Sequence, residues 1–218
     1  MNWDIITLDL KIDIEKLRDW SDQISAKYNH LWFNFSKLDY IKEKYKNKDF
    51  EFDGYGGGTH LKSLMEDNVK NIDYMELSWP CEKDIPCPPV WAAKEDLYPE
   101  LHDNSEYKMQ DKFVFGYFKD LIESVGSKYF DRASLIRHQP KTVLTKHIDG
   151  PGIVRLHIPI YCNAGSKFLY GENLEREHHL EVGKAYIINA GIPHGTVNGD
   201  EVRLHLQTKV KLEDIINA

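Results

Sequence analysis

The sequence predicts a mainly β domain with flanking helices, closed into a sandwich or barrel. Two observations carry that reading. From residue 128 onward, short candidate strands follow one another with no helix between them, at 132–138, 142–147, 153–161, 167–170, 177–181, 184–189, 194–198 and 201–210. Turn signals separate them: Gln139-Pro140, Asp149-Gly150-Pro151-Gly152, Asn163-Ala164-Gly165 and Asn198-Gly199-Asp200. Closely spaced strands joined by such turns must bury their apolar faces against each other. Before residue 127 the pattern is mixed and partly helical.

Two helical stripes stand out in that first part. Ile14, Leu17, Trp20, Ile24 and Tyr28 recur at helical spacing, with Asp13 placed to cap the N-terminus. Met109, Phe113, Tyr117 and Leu121 form a second stripe, which Gly126 would end as a C-cap. Both are read as core-packing faces. The run Asp53-Gly54-Tyr55-Gly56-Gly57-Gly58 is glycine-rich, but no Gly-Lys-Ser/Thr follows it. It is read as a turn and not a phosphate loop. Residues 79–99 hold Pro80, Pro86, Pro88 and Pro89, with Trp79 and Trp91, and are expected to form an irregular loop bordering the substrate mouth.

At 218 residues the chain fits one domain, 1–218. Hydrophobic residues make up 41% and charged residues 29%, so the composition is globular. The net charge of -7 argues against a nucleic-acid footprint. No stretch approaches a membrane span. Cys81, Cys87 and Cys162 form no C-x-x-C pair and are read as free thiols in a reducing compartment. The N-terminal MNWDIITLDLKIDIEK lacks a basic start and a long apolar run, so it is not read as a signal peptide. A cytoplasmic location without membrane or nucleic-acid partners is the expectation.

Chemistry concentrates in the second part. In Lys146-His147-Ile148-Asp149-Gly150 a strand runs into a glycine turn. Residues i and i+2 of an extended chain point the same way, so His147 and Asp149 can reach one metal ion. His194 follows Gly191-Ile192-Pro193 at the start of another strand. Two histidines and one carboxylate make a facial ligand set that leaves three positions of an octahedral iron open.

Alternation within two strands extends the pattern. Val154, Leu156, Ile158 and Ile160 lie on one face of their strand, with Arg155 and His157 on the other. Val202, Leu204 and Leu206 alternate in the same way with Arg203, His205 and Gln207. Periodicity alone leaves two readings open. Each polar row is either the wet face of an antiparallel sheet or one wall of a polar cavity where an arginine fork holds a carboxylate.

The stretch His147-Ile148-Asp149-Gly150, then Arg155-Leu156-His157, then Gly183 to His194, then Asn198 and Arg203 resembles the aspartyl/asparaginyl β-hydroxylase family, which includes proline hydroxylases. The resemblance covers roughly residues 130–210. It implies a double-stranded β-helix (jelly-roll, cupin-like) catalytic core over 128–212, with residues 1–127 packed on it. It also implies an oxidoreductase: a dioxygenase (hydroxylase) dependent on Fe(II) and 2-oxoglutarate. His147, Asp149 and His194 then match the iron ligands and the catalytic centre. Arg203 matches the arginine that pairs with the distal carboxylate of 2-oxoglutarate. Arg155 and His157 match a pair that contacts cosubstrate or a substrate carboxylate. The spacings from His147 to Arg155 and from His194 to Arg203 are about one residue shorter than in the family. A family serine aligns with Ile136, with Ser134 on the same strand face as its substitute.

Hydroxylation of an unactivated C–H bond by O2, in an amino acid or short peptide, is the implied reaction. Asp149 favours it over halogenation, which usually goes with a small residue at that position. Trp79, Trp91 and His138 are expected at the substrate pocket. His178 and His179 are expected at the solvent-exposed surface. The alternative is a cupin-like metal-binding protein or isomerase without redox activity.

Overall fold

A computed structural model describes residues 4–34, 71–79, 107–130, 132–150 and 152–210. The fold is mainly β, a jelly-roll of two antiparallel sheets with, among the described residues, two helices on one side. The chain order is β1 (Ile5–Leu8), α1 (Ile14–Lys27), β2 (Phe33–Asn34), β3 (Ile72–Glu76), β4 (Ser78–Trp79), β5 (Lys108–Met109) and α2 (Gly116–Val125). Eight strands follow: β6 (Ser134–His138), β7 (Val143–His147), β8 (Val154–Tyr161), β9 (Lys167–Tyr170), β10 (Arg176–His178), β11 (Ala185–Asn189), β12 (His194–Val197) and β13 (Arg203–Val210). Each matches one strand expected from the sequence to within a few residues.

The major sheet has seven strands in the order β1-β11-β8-β13-β6-β3-β2, and the minor sheet four, β10-β9-β12-β7. A separate ribbon pairs β4 with β5. β1, β2 and β3 therefore bring the N-terminal part into the sheet itself. They were not read from the sequence, because their partners lie far along the chain: Ile5 pairs with Ile188, and Tyr74 with Ile136.

Each strand of the major sheet has one face for the helices. Val154, Leu156, Ile158 and Ile160 of β8, Leu135 of β6, Met75 of β3 and Leu204 and Leu206 of β13 join one buried cluster with Leu17, Trp20 and Ile24 of α1 and Phe118 and Leu121 of α2. Trp20 stacks on Phe118 with centroids 4.0 Å apart, and its indole N–H donates to the Phe113 carbonyl at 2.9 Å. That bond lets a large polar-tipped ring be fully buried without an unmet donor. A second cluster of Phe168, Leu180, Tyr186 and Ile188 lies between the sheets.

The helix ends follow the sequence. The Asp13 carboxylate accepts from the Lys16 backbone N–H at 3.3 Å. Gly126, at φ 102°, closes α2, and its N–H donates to the Ile122 carbonyl. The second stripe is broken, however. Phe115 is extended and Gly116 has φ 54°, so Met109 and Phe113 lie outside α2. Both still pack on the same core. The Asp53–Gly58 run and Trp91 lie outside the described residues. No helix among the described residues is long and apolar enough to cross a membrane.

Candidate metal centre

His147 ends β7 and His194 begins β12, and the two are register partners in the minor sheet. Opposed residues of an antiparallel pair share a face, so the imidazoles meet with centroids 4.2 Å apart. His147 Nδ1 lies 2.8 Å from the Thr145 carbonyl, and His194 Nδ1 lies 2.9 Å from the Ile192 carbonyl. A carbonyl only accepts, so each Nδ1 carries the proton. Each Nε2 then keeps the lone pair that a metal requires.

Asp149 completes the group. Its Oδ1 lies 3.7 Å from His147 Nε2, and candidate donor atoms of the three residues all lie within 4.8 Å of one another. Donor atoms this close to one another could share a single ion. The loop that carries Asp149 is pinned, because its N–H donates to the Ala190 carbonyl and the Ala190 N–H donates to the Ile153 carbonyl, each at 3.0 Å. All three candidate ligands are largely buried. Burial lowers the His194 pKa, although the Asp149 charge opposes the shift, and so favours the neutral, metal-binding form.

A glycine next to His194 makes this geometry possible. The β12–β7 ladder shifts register between His194 and Thr196. A Cβ on Gly195 would lie 2.7 Å from the Leu144 carbonyl oxygen, so only glycine lets the two backbones approach. Phe168 then stacks on His194, with centroids 5.4 Å apart and planes within 19°.

The wall opposite is the second face of the major sheet. Rows of residues cross it in register. One row is Ile72, His138 and Arg203; the next is Tyr74, Ile136, His205 and Pro159. A third is Glu76, Ser134, Gln207, His157 and Tyr186. Of the two readings that periodicity left open, the wet face does not fit His138, Arg203 and His205, which are buried. Tyr74, Glu76, His157 and Gln207 on this face are half-buried, and the helices cover the other face.

Arg203 is buried and forms no ion pair with any described residue. Its Nη2 lies 3.2 and 3.3 Å from the two ring nitrogens of His138, and its Nε has no hydrogen-bond partner. Burial pulls the guanidinium down to about 10. Burial first, and the Arg203 charge second, hold His138 and His205 neutral, well below the usual imidazole range. The same causes, with Arg155 added, push His157 down to about 3. His157 Nδ1 and His205 Nε2 are also buried without partners. Buried unmet polar atoms cost about 1–3 kcal/mol each. A cation flanked by such atoms is the environment an anionic ligand would complete.

Asn198 holds this corner in place. Its amide N–H2 donates to the carbonyls of His138, Gln139 and Glu201, and its Oδ1 accepts from Asn163 and Ser166. One side chain thereby ties the end of β6 to the turn before β13, which sets His138 against Arg203.

No family model matches the chain, and no curated protein matches it in sequence. Solved structures do resemble it. The DMSP lyase DddQ from Ruegeria pomeroyi is 15% identical, over 37% of this chain and 38% of that one, with a TM-score of 0.30. An oxidoreductase of the 2OG-Fe(II) oxygenase family from Burkholderia pseudomallei is 13% identical, over 63% of this chain and 65% of that one, with a TM-score of 0.37. The viral collagen prolyl hydroxylase of Paramecium bursaria Chlorella virus-1, a 2OG complex, is 9% identical, over 45% of this chain and 69% of that one, with a TM-score of 0.30. The chain thus spans less than two thirds of the length of the first two.

The residues singled out by sequence fall as follows. His147, Asp149 and His194 come together. Arg203, His157 and His138 share the polar wall. Arg155 does not stand beside Arg203: its Nε donates to Asp149 Oδ2 at 2.9 Å. Trp79 is buried in the β4–β5 ribbon. His178 and His179 are half-buried and not solvent-exposed as expected. His178 packs on Tyr186, and His179 Nδ1 lies 2.9 Å from the Ser166 carbonyl. Tyr74 and Glu76 join the wall without having been expected. The alternation of Tyr74 and Glu76 with buried Met75 is a signal that could have found them. Burial pushes the Glu76 carboxyl up to about 8, against the pull of Arg155 and Arg132.

Proposed function

We propose that this chain is an Fe(II)- and 2-oxoglutarate-dependent oxygenase that hydroxylates an unactivated C–H bond of an amino acid or short peptide. One observation carries the reading: a buried two-histidine, one-carboxylate set faces a wall whose buried cation, Arg203, has no anionic partner among the described residues. The donor set suits Fe(II), which prefers mixed imidazole and carboxylate ligands and keeps open positions for ligands. A simple binding module requires no buried arginine beside such a donor set.

In this reading His147 Nε2, His194 Nε2 and Asp149 Oδ1 hold the metal. Arg203 binds the distal carboxylate of 2-oxoglutarate, and His157 and His205 stand on the same wall with unmet ring nitrogens. When bound, iron and 2-oxoglutarate supply the O2 activation and C–H cleavage that no side chain can supply. The protein's part is to fix orientation, keep the imidazoles neutral and exclude water. His138, neutral against Arg203, shapes that end of the pocket. O2 and a small substrate are its partners in this reading.

The test is a library assay. Protein supplied with Fe(II), ascorbate and 2-oxoglutarate is incubated with the common amino acids and short peptides, and mass spectrometry follows succinate and products heavier by one oxygen. Both should appear together for at least one substrate. Succinate alone would sink the substrate class. Neither, with iron shown bound, would leave a cupin-like metal-binding protein.

A further inference from the structure

The sequence resemblance gives Arg155 to a ligand carboxylate, and the fold gives its Nε a partner within the protein. Arg155 sits near the start of β8, in register with Ile188 of β11 and Lys209 of β13. There its Nε donates to Asp149 Oδ2 at 2.9 Å, with the two side chains 26% and 13% exposed. The other carboxylate oxygen, Oδ1, is the one turned toward His147 Nε2. The two oxygens of Asp149 therefore have different partners: one faces the ligand cluster and the other is tied to an arginine.

We propose that Arg155 is a positioning residue that holds Asp149 as a one-oxygen metal ligand. This rests on the metal reading above. A charge-assisted N–H···O bond in a partly buried site is strong and directional. It fixes the carboxylate torsion, which for an aspartate is otherwise broad and easily turned. Occupying Oδ2 also keeps that oxygen off the metal, so Asp149 fills one coordination position and not two. A chelating carboxylate would consume one of the three positions that a bidentate cosubstrate and O2 need. The backbone supports the same geometry, since the Asp149 N–H is held by Ala190 and the Ala190 N–H by Ile153. Arg155 is thus anchored on one strand, Asp149 on the loop before it, and the bond between them bridges the two ends of that loop.

The role is distinct from general packing, and a double-mutant cycle separates the two. Co(II) is titrated into wild type, Arg155→Leu, Asp149→Ala and the double variant, and its visible absorption gives both affinity and coordination. Removing an outer partner of a metal ligand typically costs about 10–100-fold in affinity. Arg155→Leu should therefore weaken Co(II) binding at least about 10-fold and change the shape of the Co(II) spectrum. In the Asp149→Ala background, whose weak binding is titrated at correspondingly higher Co(II), the same substitution should cost less than about 2-fold, because there is no carboxylate left to position. Arg155→Lys, which keeps a cationic donor, should recover part of the affinity and of the wild-type spectrum. Thermal melting of each variant checks that the fold is kept. Equal losses in both backgrounds, or an unchanged spectrum in Arg155→Leu, would overturn the proposal. If wild type itself binds no Co(II), the metal reading fails and takes this proposal with it. Normal wild-type binding with no coupling between the two residues rejects the positioning role alone.

Discussion

Replacing Arg203 by methionine separates a ligand-binding arginine from a structural one. The substitution keeps an unbranched side chain of comparable length and deletes the charge. In the unliganded protein the guanidinium is buried, it lies against a neutral His138, and it has no ion pair among the described residues. Burial lowers it from the ordinary 12.5 to about 10. At about 1.4 kcal/mol per unit, that corresponds to about 3 kcal/mol opposing the folded state. Removing the charge should relieve much of this, offset in part by poorer packing against His138. The unliganded variant should therefore melt at the wild-type temperature or up to several degrees above it, since 1 kcal/mol moves a protein of this size by about 2–4 °C. Binding should change in the opposite sense. Loss of a buried charge-assisted pair costs about 2–5 kcal/mol, so the 2-oxoglutarate affinity of Mn(II)-loaded protein should fall about 30-fold or more. Thermal melts across a 2-oxoglutarate titration read both quantities, because a ligand that binds only the folded state raises the melting temperature as its concentration climbs past its Kd. A variant that melts well below wild type yet keeps its 2-oxoglutarate response would refute the argument and make Arg203 a structural residue.

Three further outcomes follow from the same geometry. His147→Ala or His194→Ala should abolish tight metal binding, read by equilibrium dialysis against Fe(II) or Co(II), and full retention in either would reject the site. Gly195→Ala forces a Cβ to 2.7 Å from the Leu144 carbonyl, so it should destabilise the fold by about 1–3 kcal/mol and weaken metal binding by shifting His194. Calorimetry that finds no loss would show that β12 can move away from β7. His138, His157 and His205 all have folded pKa values below the ordinary 6.5. The unfolded chain therefore takes up protons first as pH falls below 6.5. Stability should be full above that pH and decline toward pH 3, where His157 titrates in the fold, by at most about 1.4 kcal/mol per pH unit for each histidine. Denaturant melts at pH 7, 6 and 5 test this, and a flat profile would contradict the neutral, buried assignment.

The β half of the molecule was legible because its strands are bounded by strong turn signals and alternate cleanly. Arg155 and His157 against Leu156 and Ile158 is such a case, and the metal set sits at the ends of those strands. The N-terminal strands were not legible. β1 has four residues and β2 two, too few for a period to show, and both gain their pairing only from distant strands. The α2 boundary was misplaced because apolar residues at helical spacing also suit a turn packed on the same core. What no pattern could supply is which atom meets which. Alternation puts Arg155 on the polar face, but only the backbone bonds of Asp149 and Ile153 to Ala190 set it against Asp149.

The most direct test of the central claim needs no substrate. A cosubstrate bound to the metal can be consumed slowly on its own, so purified protein with Fe(II), ascorbate, O2 and 2-oxoglutarate should form succinate measurable by NMR. Formation should stop without Fe(II), without O2, or in His194→Ala. Succinate at the wild-type rate in His194→Ala, or none from an iron-loaded wild type across its full stability range, would contradict the account.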